Sequence, residues 1–325
     1  GEEVPFCILI DRATIVTLKQ HEKTKKMVIT IIDKVGEKMN KQKIAILTDS
    51  GSDVPEQIRT TYDVKVIPLK IIFEDGEYVD KVNITAEEVY DRMSEEIPKT
   101  SLPDGEIIKG MFDEIKAEGY EKVLAVTISS GLSGTNNMVR IVAEQYEGLE
   151  IFVLDTKNIG IGAGFSVVEA ALQAAKDIEW DTIKANLQKG IEKAKVFFHV
   201  PTLEYLQKGG RIGLVQSVLG SMMNLKPIIT CNEDGIYHTV AKVRGKAKSV
   251  NKTIQLVEEF ASTAKKYNLA VAYGGRTALK EAEAIRQELK AKLPDYEQFF
   301  FDQVSPALGV HTGPGLIGIG VQILD

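Results

Sequence analysis

The run Thr127-Ile128-Ser129-Ser130-Gly131-Leu132-Ser133-Gly134-Thr135 carries the most suggestive chemistry in this chain. Glycines let a backbone approach a ligand closely, serines supply hydroxyls, and the free N–H groups at a helix start favour an anion. The run stands between an expected strand and an expected helix from Asn136. Ser129, Ser130, Ser133 and Gly134 are therefore candidate ligand contacts, and a serine-rich helix cap with no ligand is the competing interpretation.

Three other constellations share this character. Thr48-Asp49-Ser50-Gly51-Ser52-Asp53 follows the first clear strand, where its hydroxyls and carboxylates could bind a polar ligand or form a turn capping the next helix. Lys99-Thr100-Ser101-Leu102-Pro103 reads by itself as an ordinary loop stiffened by proline, and gains interest only if it converges with Ser133. Ala307-Leu308-Gly309-Val310-His311-Thr312-Gly313-Pro314-Gly315 sets one histidine among glycines ahead of a last apolar strand. A lone histidine serves either as a structural hydrogen-bonder or as a functional group.

Other patterns exclude chemistry. Gly160, Gly162 and Gly164 follow a strand and open a helix, but Phe165 stands where a dinucleotide fingerprint needs its third glycine. Close packing of helix or ligand explains these small residues equally well. There is no GxxxxGK[ST] loop and no HExxH, and Lys208-Gly209-Gly210-Arg211-Ile212-Gly213 lacks the Ser/Thr of a phosphate loop. Arg211 and Arg244 are open to two readings, a protein-facing role or a solvated surface. Cys7 and Cys231 are the only cysteines, too few and too distant for a zinc site, and a reducing, cytoplasmic setting is expected. A net charge of -6 offers no basic field for nucleic acid, and no apolar run nears the ~20 residues of a membrane span. Neither a cofactor nor a metal is expected.

The elements that must position these loops alternate short β-rich runs with longer helical patterns, which predicts an α/β protein. Strands are expected at Ile44–Leu47, Val64–Ile72, Val123–Ile128 and Ile151–Asp155. Helices are expected at Thr85–Met93, Glu106–Glu118, Asn136–Tyr146 and Ala163–Lys176. In such sheets ligands collect at the carboxyl ends of strands. After a helix at Thr182–Lys193 and a strand at Lys195–Val200, the pattern becomes glycine-rich and irregular from Lys208 to Gly220. A hairpin then spans Lys226–Cys231 and Gly235–Val243. Helices at Val250–Lys266 and Thr277–Leu293 and strands at Leu269–Tyr273, Gln298–Val304 and Leu316–Leu324 complete the chain. The expected organisation is an extension over 1–38, a mostly parallel α/β domain with helices on both sheet faces over 39–194, and a smaller mixed or antiparallel α+β domain over 195–325. Gly1–Lys38, with its His21–Lys26 cluster, reads as upstream or appended sequence, with the natural start at or near Met39.

Taken in order, TDSGSD, KTSLP, SSGLSGT, LDTKNIGIGAG, LQKGGRIG, NLKPII and HTGPGLIG resemble the signatures of the DegV family from about Lys43 onward. No single motif suffices, but seven in order are specific. The resemblance implies a two-domain fold holding a long-chain fatty acid such as palmitate, stearate or oleate between the domains. It places carboxylate binding on Thr100, Ser133 and His311, with Gly160 and Gly162 as further ligand-loop positions. It further implies a carrier without catalytic activity of its own, whose ligand a separate fatty acid kinase phosphorylates to an acyl phosphate for phospholipid synthesis. Arg211 and Arg244 would dock that kinase. Gly51, where many relatives carry a small hydroxyl residue, departs from the pattern.

The physics agrees with this reading. Burying ~15 methylenes at ~0.8 kcal/mol each gives ~12 kcal/mol of gross driving force. The head group then needs several donors, and hydroxyls, backbone N–H groups and an imidazole supply them without masking the oxygen that must react. The rival is an enzyme acting on acyl phosphate or a small hydroxylated substrate through Ser133 or His311.

Overall fold

The structure is a computed structural model that describes residues 7–11, 14–17, 39–221 and 225–324. Gly1–Asn40 and Lys41–Asp325 are separate compact units. In the first, β1 (Cys7–Asp11) and β2 (Thr14–Thr17) form an antiparallel hairpin with Ile8 opposite Val16. The rest of the expected extension, His21–Lys26 included, lies outside the described residues, as does Asn224 of NLKPII.

The second unit is α/β. Its first sheet has the order β4-β3-β8-β9 and is parallel throughout, built from β3 (Ile44–Asp49), β4 (Lys65–Ile67), β8 (Lys122–Thr127) and β9 (Glu150–Asp155). All six residues of β3 are buried, as befits a strand covered on both faces. The chain passes through α1 (Glu56–Thr61) between β3 and β4. The expected continuous strand Val64–Ile72 is broken at Pro68. Proline has no N–H for a ladder, and the chain leaves the parallel sheet there to start β5 (Lys70–Phe73). With β6 (Gly76–Val79) and β7 (Lys99–Ser101), β5 makes a small antiparallel sheet of order β6-β5-β7. The KTS of KTSLP is thus an edge strand rather than a loop, with Thr100 opposite Ile71. Between β6 and β7 runs α2 (Ala86–Arg92), started by a Thr85–Glu88 capping box. Helices α3 (Gly105–Ala117) and α4 (Thr135–Glu144) follow β7 and β8.

The second sheet has six strands in the order β12-β11-β10-β15-β13-β14. These are β10 (Ala194–His199), β11 (Lys226–Cys231), β12 (Tyr237–Val243), β13 (Tyr267–Tyr273), β14 (Tyr296–Gln303) and β15 (Ile317–Ile323). Only β13 and β14 pair in parallel. The stretch expected to be irregular contains the short α7 (Glu204–Lys208) and a 3-10 segment, Gly213–Ser221.

Helix α5 (Ile161–Ala175) joins the layers. It is buried almost all round, and its two sides enter different cores. Val167, Val168 and Ala171 pack with Ile44, Ile46, Leu124 and Val126 of the parallel sheet and with Trp180, Ile183 and Leu187 of α6 (Trp180–Gly190). Ile161, Ala163 and Phe165 pack with Val196 and Phe198 of β10. Strand β15 shows why the fit is close: Ile317, Ile319 and Val321 enter the core beneath α8 (Lys246–Ala261) and α9 (Arg276–Lys292). Gly318 and Gly320 alternate with them, and a Cβ on Gly320 would lie 2.9 Å from the Phe165 ring. A last helix, α10 (Pro306–Thr312), precedes β15. It is capped by Ser305, and Pro306 sits at its first position.

The glycines after β9 are closely packed. Gly160 has φ 53° and ψ -139°, a region essentially closed to side chains, and a Cβ on Gly164 would stand 2.5 Å from the Ser52 carbonyl oxygen. Gly164→Ala should therefore lower stability by ~1–3 kcal/mol. Urea denaturation followed by circular dichroism should show an earlier midpoint with an unchanged slope.

Candidate ligand-binding site

The carboxyl ends of β3, β8 and β9 carry the loops that the sequence singles out. The loop after β3 turns inward. Asp49 accepts the Gly51 N–H at 2.9 Å through Oδ1 and the Ile128 N–H at 2.9 Å through Oδ2, tying it to the neighbouring loop. The Thr48 hydroxyl donates to Ser52 Oγ at 2.9 Å, and the Ser52 hydroxyl donates to the Asp49 carbonyl at 2.9 Å. Asp49 thereby caps the 3-10 turn Ser50–Ser52, whereas α1 begins after Pro55 without a side-chain cap. Burial pushes Asp49 up to about 7 against the pull of its two N–H bonds.

The loop after β8 divides its serines between two tasks. Ser129 is fully buried, donates to the Gly235 carbonyl at 2.8 Å and accepts the Gly131 N–H at 3.0 Å. Ser130 is exposed, and its N–H donates to Asp155 at 3.1 Å. Ser133 lies at the start of α4, its hydroxyl 2.8 Å from that of Thr135. Ser133 and Gly134 face a cavity of about 170 Å³ that Thr100 and His311 also line.

Thr100 reaches this cavity because the ladder of β7 against β5 holds it, and His311 because it sits in the last turn of α10. The Thr100 hydroxyl and His311 Nε2 lie 2.5 Å apart. Burial first, and then the nearby Arg211 guanidinium, lower the His311 imidazole to about 3, so the ring is neutral at neutral pH. Gly209 closes over the other face of this site, where a Cβ would strike His311 Nδ1. That nitrogen has no partner among the described residues.

The expected head-group residues thus share one cavity, and Gly134 joins them. Ser129, Ser130, Gly160 and Gly162 are not among its lining residues; a Cβ on Gly162 would meet the Asn158 side chain instead. Arg211 is half-buried in the cavity wall, where its Nε donates to the Leu132 carbonyl at 3.2 Å and its Nη1 to the Gly209 carbonyl at 2.7 Å. Arg244 is exposed just past β12. Sequence reasoning missed the apolar back wall of Leu69, Ile128, Leu132, Ile159 and Tyr237. These residues come from four separated segments with no common periodicity, and they belong to the large core between the sheets. Among the described residues no cluster of His, Cys, Asp or Glu is arranged to hold a metal ion, and no helix is long and apolar enough to cross a membrane. A larger cleft, about 620 Å³, opens beside Lys157 and Asn232, but Glu192, Glu233 and Asp234 in its walls oppose an anion.

These features define a protein with a small-ligand cavity between two sheet layers, its mouth lined by hydroxyls and a neutral imidazole and its back by core residues. The sequence pattern of the DegV family, described as uncharacterised proteins, matches residues 43–323, and this chain belongs to that family. It is 39% identical over 278 residues to a DegV domain-containing protein of Clostridium acetobutylicum, covering 86% of this chain and 98% of that relative. Among solved structures it is similar to a fatty-acid-binding DegV family protein from Thermus thermophilus, with a TM-score of 0.81 and 30% identity over 86% of this chain and 99% of the other. It is also similar to a stearic-acid-binding protein from Eubacterium ventriosum, with a TM-score of 0.77 and 26% identity over 86% of this chain and 98% of that one.

The depressed imidazole gives a direct test. Carbon-detected NMR of His311 in the ligand-free protein should show no protonation between pH 8 and about pH 5, unlike an exposed histidine near ~6.5. The unfolded chain takes up this proton first as the pH falls. The contribution of His311 to folding is therefore complete above ~6.5 and lost as the pH falls toward about 3.

Proposed function

We propose that this protein binds one long-chain fatty acid, with the carboxylate at Thr100, Ser133 and His311 and the tail directed into the core behind them. The convergence of these three residues on one apolar-backed cavity carries the reading. Relatives that bind fatty acid, stearic acid among them, support it.

The head group exchanges water for hydroxyl and imidazole donors, and the neutral ring can give its N–H to an anion. The tail needs more room than the mouth alone offers. At ~30 Å³ for a group the size of water, 170 Å³ takes the head group and the first few carbons. The rest of the chain requires the side chains of Leu69, Ile128, Leu132, Ile159 and Tyr237 to move apart, with the tail taking up their apolar contacts.

The protein acts as a carrier, handing the carboxylate to a separate kinase that converts it to an acyl phosphate, with Arg211 and Arg244 at the docking surface. The uncharged donors Thr100, Ser133 and His311 suit this role, because they hold the head group without cancelling the charge of the oxygen that must attack, while Arg211 in the same wall is engaged by the Leu132 and Gly209 carbonyls. An enzyme built on Ser133 and His311 would need the base beside the nucleophile. The Ser133 hydroxyl meets Thr135, however, and the His311 Nε2 meets Thr100.

Extraction of the purified protein followed by lipid mass spectrometry, with titration of delipidated protein by oleate, tests the binding. A protein that carries no acyl chain and takes up neither palmitate nor oleate refutes it. Thr100→Val and Ser133→Ala should each weaken oleate binding by ~1–3 kcal/mol. Arg244→Ala should leave oleate affinity unchanged and reduce acyl phosphate formation in the presence of ATP and the kinase.

A further inference from the structure

The loop Thr48–Asp53 contributes no residue to the cavity wall, yet its neighbourhood holds the helix that carries His311. Asp53 follows this loop's 3-10 turn in a left-handed conformation, with φ 46°. Its side chain is only 7% exposed. Through Oδ1 it accepts the Ser305 N–H at 3.0 Å, and Lys81 Nζ stands 3.3 Å from the same oxygen. Asp80, just past β6, accepts the Ala307 N–H at 3.4 Å through Oδ1, and its Oδ2 accepts the Ser50 hydroxyl at 2.6 Å. Ser50 Oγ in turn accepts the Leu69 N–H at 3.0 Å. Both acids therefore grip the first turn of α10, whose amides point out of the helix and have no partner within it. Ser305 caps that turn from inside the chain, accepting the Leu308 N–H at 3.4 Å.

From this geometry we propose that Asp53 and Asp80 are positioning residues for the head-group site: their carboxylates dock the N-terminal turn of α10 and so set the His311 imidazole against Thr100. The proposal rests on the fatty-acid-binding reading for its functional consequence, but its structural part stands apart from that reading. The anchoring is cross-layer, because the acids leave the first half of the chain while α10 leads into the second sheet. The other side of the helix is seated as closely, since a Cβ on Gly309 would lie 3.0 Å from Tyr90 Oη of α2. With α2 as a floor and two acidic side chains at one end, α10 has little freedom to turn His311 away. Burial drives Asp80 up to about 6 and raises Asp53 as well, so holding carboxylates here opposes their solvation. The N–H donors and Lys81 offset that opposition. Asp49 adds the link to the Ser133 loop through the Ile128 N–H, so one acidic turn touches supports of both His311 and Ser133.

Two readouts on the full chain test the proposal: oleate affinity by titration, and the His311 imidazole resonances in the delipidated protein, with Thr100→Val as the reference for a broken contact. Asp53→Ala and Asp80→Ala should each weaken oleate binding about tenfold, the lower end for a charge-assisted hydrogen bond, and move the His311 resonances as Thr100→Val does. His311 resonances that stay at their parent positions in both variants, with affinities unchanged, overturn it. Should either alanine variant fail to fold, the isosteric pair Asp53→Asn and Asp80→Asn decides by the same resonances. The amide keeps an acceptor but removes the charge, so a smaller shift in the same direction is expected and none overturns the proposal. If the parent protein binds no oleate, the fatty-acid reading fails, while the resonance shifts still decide the positioning role.

Discussion

The Thr100–His311 contact spans 211 positions of sequence and joins an edge strand of the first half to a helix of the second. It brings two of the three head-group residues together at the cavity mouth. A hydroxyl and an imidazole at this distance sit where polar atoms can receive an anion without a full positive charge in direct contact. Neither residue could hold its place alone. Thr100 needs the β5–β7 ladder, and His311 needs α10 seated on α2 and gripped at its start.

Burial is what makes these polar atoms consequential. An imidazole held neutral by its surroundings is a donor and an acceptor at once, and its hydrogen bonds are stronger than they would be in water. Burial likewise raises Asp49 of the β3 loop and Asp80 past β6, and the structure answers with backbone N–H donors, two for Asp49 and one for Asp80. Arg211 shows a related economy. Its fork is occupied by the carbonyls of Leu132 and Gly209, so it braces the Ser133 loop while its charge still reaches the site.

Close approach of the layers supplies the apolar half of the site. Helix α5 fits between the sheets because small residues line it and because glycines alternate with isoleucines on β15. That packing brings Ile159, at the foot of α5, beside Ile128 and Leu132 of the neighbouring loop. The back wall is therefore a by-product of the core, continuous with it and made of the same kinds of side chain.

Much of this was legible in the order of residues. The alternation of strands and helices specified an α/β fold, and hydroxyl-glycine loops after β3 and β8 marked the sheet's carboxyl end. Spacing argued against a dinucleotide loop at Gly160. Pro68 is a local signal too, and it accounts for the strand that proved to be two. Local pattern failed where partners were distant. KTSLP looked like a loop because three residues of edge strand carry almost no periodic signal, and the back wall drew on separated positions. What the acids of Thr48–Asp53 hold depended on which N–H groups lay nearby, and only folding brings Ile128 and Ser305 to that place. Sequence by itself determined the types of element and the donor chemistry available. Tertiary structure decided which donors meet, because hydrogen bonds act over a few ångströms in space and take no account of separation along the chain.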